Sequence, residues 1–474
     1  MHEELHAWLQ EHYGCAAGME NYRKIQHWAD WWRGEVDGFH EYMENAAYGS
    51  PVHRRMYGLH MAKKICEDWA ALLLNDKTML QVQPEVQKWL HRVLTENGFW
   101  RRSNYLVEKS FALGTGACLL RVNGISPALW KEAPSALQED RDFSSLPALV
   151  HGYTVHGDPV RFWFDFVDAS QIIPISVEGG EITEAAFLSD MVLRGKTYQY
   201  MEIHIREKDG YVIRNHYFRL DKGRLLEEHL PDMPPSEIRT GCPYPFFAIL
   251  RPNIQNTAPD AGGLGQSVYA DALDCLRGID LAFNNFCRDL RLGGKKVFVN
   301  QSLLRRDESG NLYTPDDVAQ QLFMLVGDSD LADQPLIEEH NPSLRTEENR
   351  EAVQAQLDYL SFRCGLGTRH YMFTGVQGRA QLTATQYMGE KQDMRQSLAK
   401  HQQNVTAYLE AVTKPLLWVA SHLLSLPVNC HEVKILYDDS YFMDAETERS
   451  RDLREVEAGL MPPEDFRRRW YDTV

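Results

Sequence analysis

One long amphipathic stretch, residues 382–424, constrains the fold more than any other part of the chain. It is entered through a polar, glycine-punctuated loop, Phe373-Thr-Gly-Val-Gln-Gly-Arg-Ala380. Apolar side chains recur at Met388, Met394, Leu398, Val405, Leu409, Val412, Leu416, Val419 and Leu423. Those spacings fit a period near 3.6 residues, which predicts one helix with a single apolar stripe. At 1.5 Å per residue it is roughly 60 Å long. Pro415 has no amide hydrogen to give, so a kink there or a division at Lys414 is expected. Thr383 or Thr385 is the expected N-cap, because a hydroxyl accepts an exposed first-turn amide. A helix of this length with one apolar face spans a domain or an assembly.

The 474-residue chain allows roughly two to four domains and ample core. Its formal net charge of -17 excludes a protein that wraps nucleic acid, while leaving room for a local basic patch. The eight cysteines are scattered and form no C-x-x-C pair, a pattern of reduced, buried thiols rather than a disulfide framework. His2, Glu3 and Glu4 stand where a signal peptide has its basic region, so no such leader is expected. The apolar run 416–426 is too short to cross a bilayer and is interrupted by Ser421, His422 and Ser425, so no membrane is expected.

Residues 1–110 read as helical, with helices expected near 3–12, 58–75 and 84–113. Trp28, Trp31 and Trp32 form a cluster whose large apolar area suits the joining of two elements. His2-Glu-Glu-Leu-His6 matches H-E-x-x-H literally, with His12 in the place of a third zinc ligand. Leu9 replaces the glycine that lets such a motif turn, and the motif opens at residue two with no strand before it. A solvated helix face near a frayed end is the expectation there.

From residue 112 to 247 the period shifts toward two. Strands are expected at 114–122, 159–166, 198–206 and 211–219, with turns at Lys208-Asp-Gly210 and Glu178-Gly-Gly180. An antiparallel sheet set between helical regions makes the class α+β. Gly114 and Gly116 suit close backbone approach where helix meets sheet better than a phosphate loop. A second long helix is expected at 266–292, with Leu276, Ile279, Phe283, Phe286 and Leu290 as its seam. Its expected partner is 345–364, through Val353, Leu357, Leu360 and Cys364. The pair forms a stalk around an excursion that opens with a strand at 293–299. Lys295 and Lys296 follow glycines, but no Ser or Thr stands behind them for magnesium, so ATP hydrolysis is not expected. A strand at 433–437, a charged helix at 445–458 and a last helix carrying Arg467, Arg468 and Arg469 close the chain.

Several local sequences taken together resemble the portal (head-to-tail connector) family of tailed phages and prophages of Gram-positive bacteria. They are Trp28 with Trp32 and Gly34, Glu108-Lys-Ser-Phe-Ala-Leu-Gly-Thr-Gly-Ala117, Pro245-Phe-Phe, Gly265-Gln-Ser267 and Phe362-Arg-Cys-Gly-Leu-Gly367. Leu382-Thr-Ala-Thr-Gln-Tyr387, Asp438-Asp-Ser440 and Ala458-Gly-Leu460 complete the set, which covers nearly the whole chain. Gln386 and Tyr387 depart from the family's usual Glu-Val. The resemblance implies an α/β wing (1–263), stem helices (264–292 and 345–364) and a small α/β clip (293–344). It implies a tunnel-loop region (365–381), a long kinked helix with a wing strand (382–439) and a short helical crown (440–474). It further implies a homo-oligomeric ring, typically twelvefold in the capsid, with a central channel for double-stranded DNA and no enzymatic activity, cofactor or metal. Implied partners are the terminase large subunit, a head-completion or tail adaptor protein, and the major capsid and scaffold proteins. The implied location is the capsid portal vertex of the virion, after assembly in host cytoplasm.

A duplex that slides must not be held tightly, because each neutralised phosphate adds about 0.9 to the salt slope of binding. A channel wall therefore wants few fixed cations, repeated by symmetry. Val376, Gln377, Gly378 and Arg379 give a polar loop tip with one cation per copy. Arg288, Arg291, Lys295 and Lys296 at the end of the stem are further candidate phosphate contacts that read no sequence. Two other readings remain: a metal-dependent hydrolase using the N-terminal histidines, and a generic minor capsid or scaffold protein.

Overall fold

The computed structural model describes residues 2–44, 51–75, 78–123, 154–155, 158–159, 161–193, 195–221, 224–230, 234–294, 296–300, 322–325, 337–373, 392–424, 426, 433–437, 445–459 and 462–470. The elements mix helix and strand in segregated regions, so the class is α+β. The chain opens with α1 (His2–His12), α2 (Met19–Arg33), the paired strands β1 (Glu41–Glu44) and β2 (Val52–Arg55), and α3 (Met61–Leu73). Strand β3 (Met79–Gln81), α4 (Pro84–Glu96) and α5 (Phe99–Leu113) follow. Then come β4 (Gly116–Asn123), β5 (Thr154–Val155), β6 (Asp158–Pro159), β7 (Arg161–Asp168), β8 (Ile172–Glu178), β9 (Glu181–Leu193), β10 (Lys196–Glu207), β11 (Gly210–Asp221), β12 (Arg224–Glu227), β13 (Glu237–Arg239) and β14 (Phe247–Leu250). The second half holds α6 (Leu273–Leu292), β15 (Lys296–Asn300), β16 (Leu322–Leu325), β17 (Ile337–His340) and α7 (Thr346–Arg363). It ends with α8 (Gln392–Leu424), β18 (Lys434–Leu436), α9 (Ala445–Glu457) and α10 (Pro463–Trp470).

The large sheet is an antiparallel meander in the order β12-β11-β10-β9-β8, with β13 added on β11. Two-residue turns set its register. Gly179 and Gly180 both take positive φ between the paired Glu178 and Glu181, the geometry that matches strand twist. Lys208 and Asp209 join Glu207 to Gly210, and there the positive φ falls on Gly210 itself. Alternation then divides the sheet into two faces. Ile173, Ala186, Met201, Ile203 and Phe218 face Leu5 and Leu9 of α1, both fully buried. Ile172, Ala185 and Phe187 face Ala117 and Leu119 of β4 and Phe247 of β14, in the small sheet β14-β4-β7. Each fully buried leucine of α1 contributes about 2 kcal/mol. Helix α1 is thus a packed element with one solvated side, which corrects the expectation of a frayed end.

The main core gathers α2 to α5, β4, α6, α7 and α8 around Trp28, Trp31, Trp69, Trp89, Phe99 and Phe111. The tryptophan cluster lies on a helix, α2, with Asn21, Ile25, Trp28 and Trp31 on its buried face. Helix α8 buries Met394, Leu398, Val405, Leu409, Val412, Leu416 and Val419, the apolar stripe read from the sequence. It runs unbroken through Pro415, so the expected division at Lys414 does not occur. Pro415 and its neighbours Val412, Thr413 and Leu416 are all buried. Packing on this scale outweighs the roughly 3 kcal/mol local cost of an interior proline. Thr383, Thr385 and Met388 lie outside the described residues.

Two other expectations are corrected. The single helix expected at 84–113 is two, because Asn97 and Gly98, the latter at φ +57, separate α4 from α5. The helix expected from residue 266 begins at Leu273, after a 3-10 turn at Ala270–Ala272. The preceding backbone is committed elsewhere: Gly265 N–H donates to Thr115 Oγ1 at 2.9 Å, and Val268 N–H to Phe111 O at 2.9 Å. Gly114 and Gly265 meet backbone to backbone, so close that a Cβ on Gly114 would lie 2.5 Å from Gly265 O. The close-approach role read for Gly114 is therefore the observed one.

Candidate functional site

Helices α6 and α7 form an antiparallel pair bracketing the small sheet β16-β15-β17. Leu276 and Ile279 of α6 and Val353, Leu357, Leu360 and Cys364 of or just beyond α7 are buried, as the seam spacing predicts. Gly278 brings the axes close: a Cβ there would come within 2.8 Å of Gln356 Oε1. Farther along, Asp289 accepts from Arg345 at 2.9 Å and from Asn349 at 2.9 Å. Those hydrogen bonds, from Asn349 first and then Arg345, hold the Asp289 carboxyl below its ordinary value. The seam fades outward, and Leu290 is 45% exposed.

Polar groups clamp α6 to the first third of the chain. Val36 N–H donates to His40 Nδ1 at 3.0 Å, which leaves Nε2 to donate to Asp280 Oδ2 at 3.1 Å. The other oxygen of Asp280 accepts from Leu59 N–H at 2.8 Å. This chain of bonds is buried, so it fixes where α6 stands.

Residues 364–373 turn from α7 toward the expected tunnel loop. Gly365 and Gly367 take positive φ, and Trp69 Nε1 donates to Cys364 O at 3.2 Å. Gln354 grips the segment from both sides: its amide donates to Tyr371 O and accepts from Phe373 N–H, at 2.9 and 2.8 Å. Phe373 packs edge-on against Phe283 and Phe286 of α6. The Tyr371 hydroxyl donates to Asp68 Oδ2 at 2.8 Å, and Lys64 holds the other oxygen. Burial alone would raise the Asp68 carboxyl; hydrogen bonds from His370, Lys64 and Tyr371 override it and hold the group down. The root of the loop is thus pinned to α3, α6 and α7 together. Beyond residues 374–391, the start of α8 is held by Asn253, whose N–H donates to His401 Nδ1 and whose side chain donates to Lys400 O.

The structure places the candidate residues unevenly. Val376, Gln377, Gly378, Arg379 and Lys295 lie outside the described residues. Lys296 opens β15 opposite His340. Arg288 and Arg291 occupy the last turns of α6, where Arg291 is exposed and Arg288 lies 3.9 Å from Glu44. At the other end of the molecule, His6 Nε2 donates to Ala17 O at 3.1 Å, so that nitrogen carries its proton and offers no lone pair. His12 donates from Nδ1 to Trp8 O and stacks on the Trp8 ring at 4.2 Å. No cluster of three or more His, Cys, Asp or Glu among the described residues is arranged to hold a metal ion.

A buried charge network was not read from the sequence. Arg121 of β4 reaches across to Glu202 of β10 while also binding Asp165 at 2.8 Å. Glu202, 1% exposed, accepts further from His204 Nε2 at 2.7 Å and from the Tyr200 hydroxyl at 2.9 Å. Burial pushes the Glu202 carboxyl up, but Arg121 and His204 more than reverse it and hold it far below the usual carboxylate range. The visible signal was Glu202 and His204 alternating with Met201 and Ile203, both faces being buried; the partner Arg121 was too distant in the chain to pair by pattern. The network ties the two sheets together and reads as structural, its charges being met by one another.

No helix among the described residues is long and apolar enough to cross a membrane. No protein-family model matches the chain, and no curated protein matches it.

Proposed function

We propose that this chain is one subunit of a portal ring, through which double-stranded DNA enters a capsid and later leaves it. The observation that carries the reading is the pinned root of residues 374–391. Gln354, Phe373 and Tyr371 fix that root against α7, α6 and α3. A polar segment held at a rigid junction of stem and spine becomes a collar once copies stand around an axis. In this reading α6 and α7 are the stem, the β15–β17 sheet belongs to the clip, and Arg379 with Lys295 and Lys296 meets phosphate without reading sequence. The ring docks the terminase large subunit during packaging and a head-completion or tail adaptor protein afterwards, and sits among major capsid and scaffold proteins.

Light scattering after size exclusion and negative-stain imaging test the reading directly. A ring of about twelve copies with an axial hole is the expected result. A monodisperse single-copy globule under every capsid-like condition would remove it.

A further inference from the structure

We propose that the stem pair carries two complementary edges, a basic one on α6 and an acidic one on α7, and that neighbouring copies dock the first against the second. The proposal rests on the ring reading above and names the contact that builds the stem. At 100° per residue, the buried positions of α6 (Leu276, Ile279) and those turned to α7 (Gly278, Asp289) leave a third flank, which packs on residues 36–59 through Asp280 and Asn284 in its inner turns and opens to solvent only in its last turns. Arg288 and Arg291 occupy that open part, both exposed, while Arg277 lies over the Phe39 ring farther in. On α7 the buried positions (Val353, Leu357, Leu360) and those turned to α6 (Asn349, Gln356) leave another flank free. Glu347, Glu348 and Glu351 occupy that one, also exposed. Their nearest described opposite charges are weak or local: Arg288 to Glu44 at 3.9 Å, and Glu347 to Arg350 at 3.5 Å within one helix turn.

The heights agree. Asp289 binds Arg345 and Asn349, so the turn holding Arg288 and Arg291 is level with the turn holding Glu347, Glu348 and Glu351. Copies placed side by side without axial offset therefore bring arginine to glutamate. Closer to the core, the exposed side chains become apolar: Leu281 on α6, and Ala352, Ala355, Tyr359 and Phe362 at steps of three and four on α7. Tyr359 and Phe362 are 64% and 59% exposed, an area that a second copy covers. Because the two edges differ, the contact is head-to-tail, the kind that closes into rings. It also gives Arg288 and Arg291 a protein partner in place of phosphate.

The test uses full-length chain in two charge-reversed forms, Arg288→Glu/Arg291→Glu and Glu348→Arg/Glu351→Arg, each checked for wild-type circular dichroism. In the first form both edges are acidic, and in the second both are basic. Each alone is expected to lose roughly tenfold or more in assembled ring, since like charges then face each other. An equimolar mixture is expected to regain rings in which the two forms alternate, read by native mass spectrometry. Rings from either variant alone at the wild-type level would overturn the edge pairing while leaving the ring reading standing. Loss of rings that mixing does not restore would also overturn the pairing. A wild-type chain that forms no ring removes both.

Discussion

At the scale of single residues, the most consequential group is Glu202. It is buried with Arg121 against it, and its carboxyl titrates far below the ordinary 4.5. The unfolded chain therefore binds this proton at higher pH than the folded one does. The stabilisation is complete above about pH 4.5 and drains away as the pH falls toward the folded value. Replacing Glu202 with Ala takes from the largely buried Arg121 its buried carboxylate partner, leaving it Asp165, and should cost about 3 kcal/mol in urea unfolding at pH 7. Glu202→Gln should show a shallower loss of stability below pH 4.5 than wild type; an unchanged acid slope would mean the pair does not cause that loss. His401 acts in a window that opens at higher pH and overlaps the first below about pH 4.5. Burial between Trp69 and Phe111, with Lys400 adding to it, pushes the ring down to about 3. The unfolded ring protonates near 6.5. Stability thus falls from about pH 6.5 downward, toward the folded value of about 3. A titration followed by NMR should find the His401 ring neutral at pH 5, and a charged ring there would contradict the packing.

At the scale of elements, what could be read in advance followed from how far each signal reaches along the chain. The stripe of α8 and the seams of α6 and α7 repeat every three or four residues over many turns, so they survive a local disturbance such as Pro415. The alternation of β10 and β11 with their two-residue turn is equally local. Asn97-Gly98 was overlooked because Leu94 and Phe99 continue the apolar count across it while the backbone turns. Short pairings such as β3 with β18 carry three residues each and a partner hundreds of positions away, beyond any periodic signal. Glycine offers a sharp check on these contacts. At Gly114 a Cβ would meet the Gly265 backbone at 2.5 Å, and the φ of +84° is itself hostile to side chains. Gly114→Ala should destabilise by about 2 kcal/mol or more. At Gly278 the obstruction is only the mobile end of Gln356, and a helix gains from losing a glycine. Gly278→Ala should therefore stay within about 1 kcal/mol of wild type. Thermal melts of the two variants compare them directly; equal losses would show that α6 and α7 cannot yield where the described geometry says they can.

At the scale of the whole molecule, the α+β architecture was legible and the loop that motivates the functional reading was legible only as composition. Gly375 and Gly378 with the polar Thr374, Gln377 and Arg379 mark a loop but encode no partner, so its meaning comes from where its root is held. Under the proposed ring reading, how that root is held has a measurable consequence. Phe373 sits against Phe283 and Phe286, so its removal loosens the loop's root from α6 without touching the core of α8 or the outer edges of α6 and α7. Gln354 holds the same segment by two backbone hydrogen bonds, each contributing about 1 kcal/mol. A Phe373→Ala/Gln354→Ala chain should therefore build rings of wild-type size. Particles made with it should fill less DNA or lose it sooner, because a loosened collar holds passing phosphates at no fixed radius. Arg379→Ala should produce a milder defect of the same kind, removing one cation per copy while leaving the loop anchored. Counting full heads by density-gradient sedimentation separates the cases. Normal filling and retention with both variants would deprive the loop of its function, whatever the ring looks like.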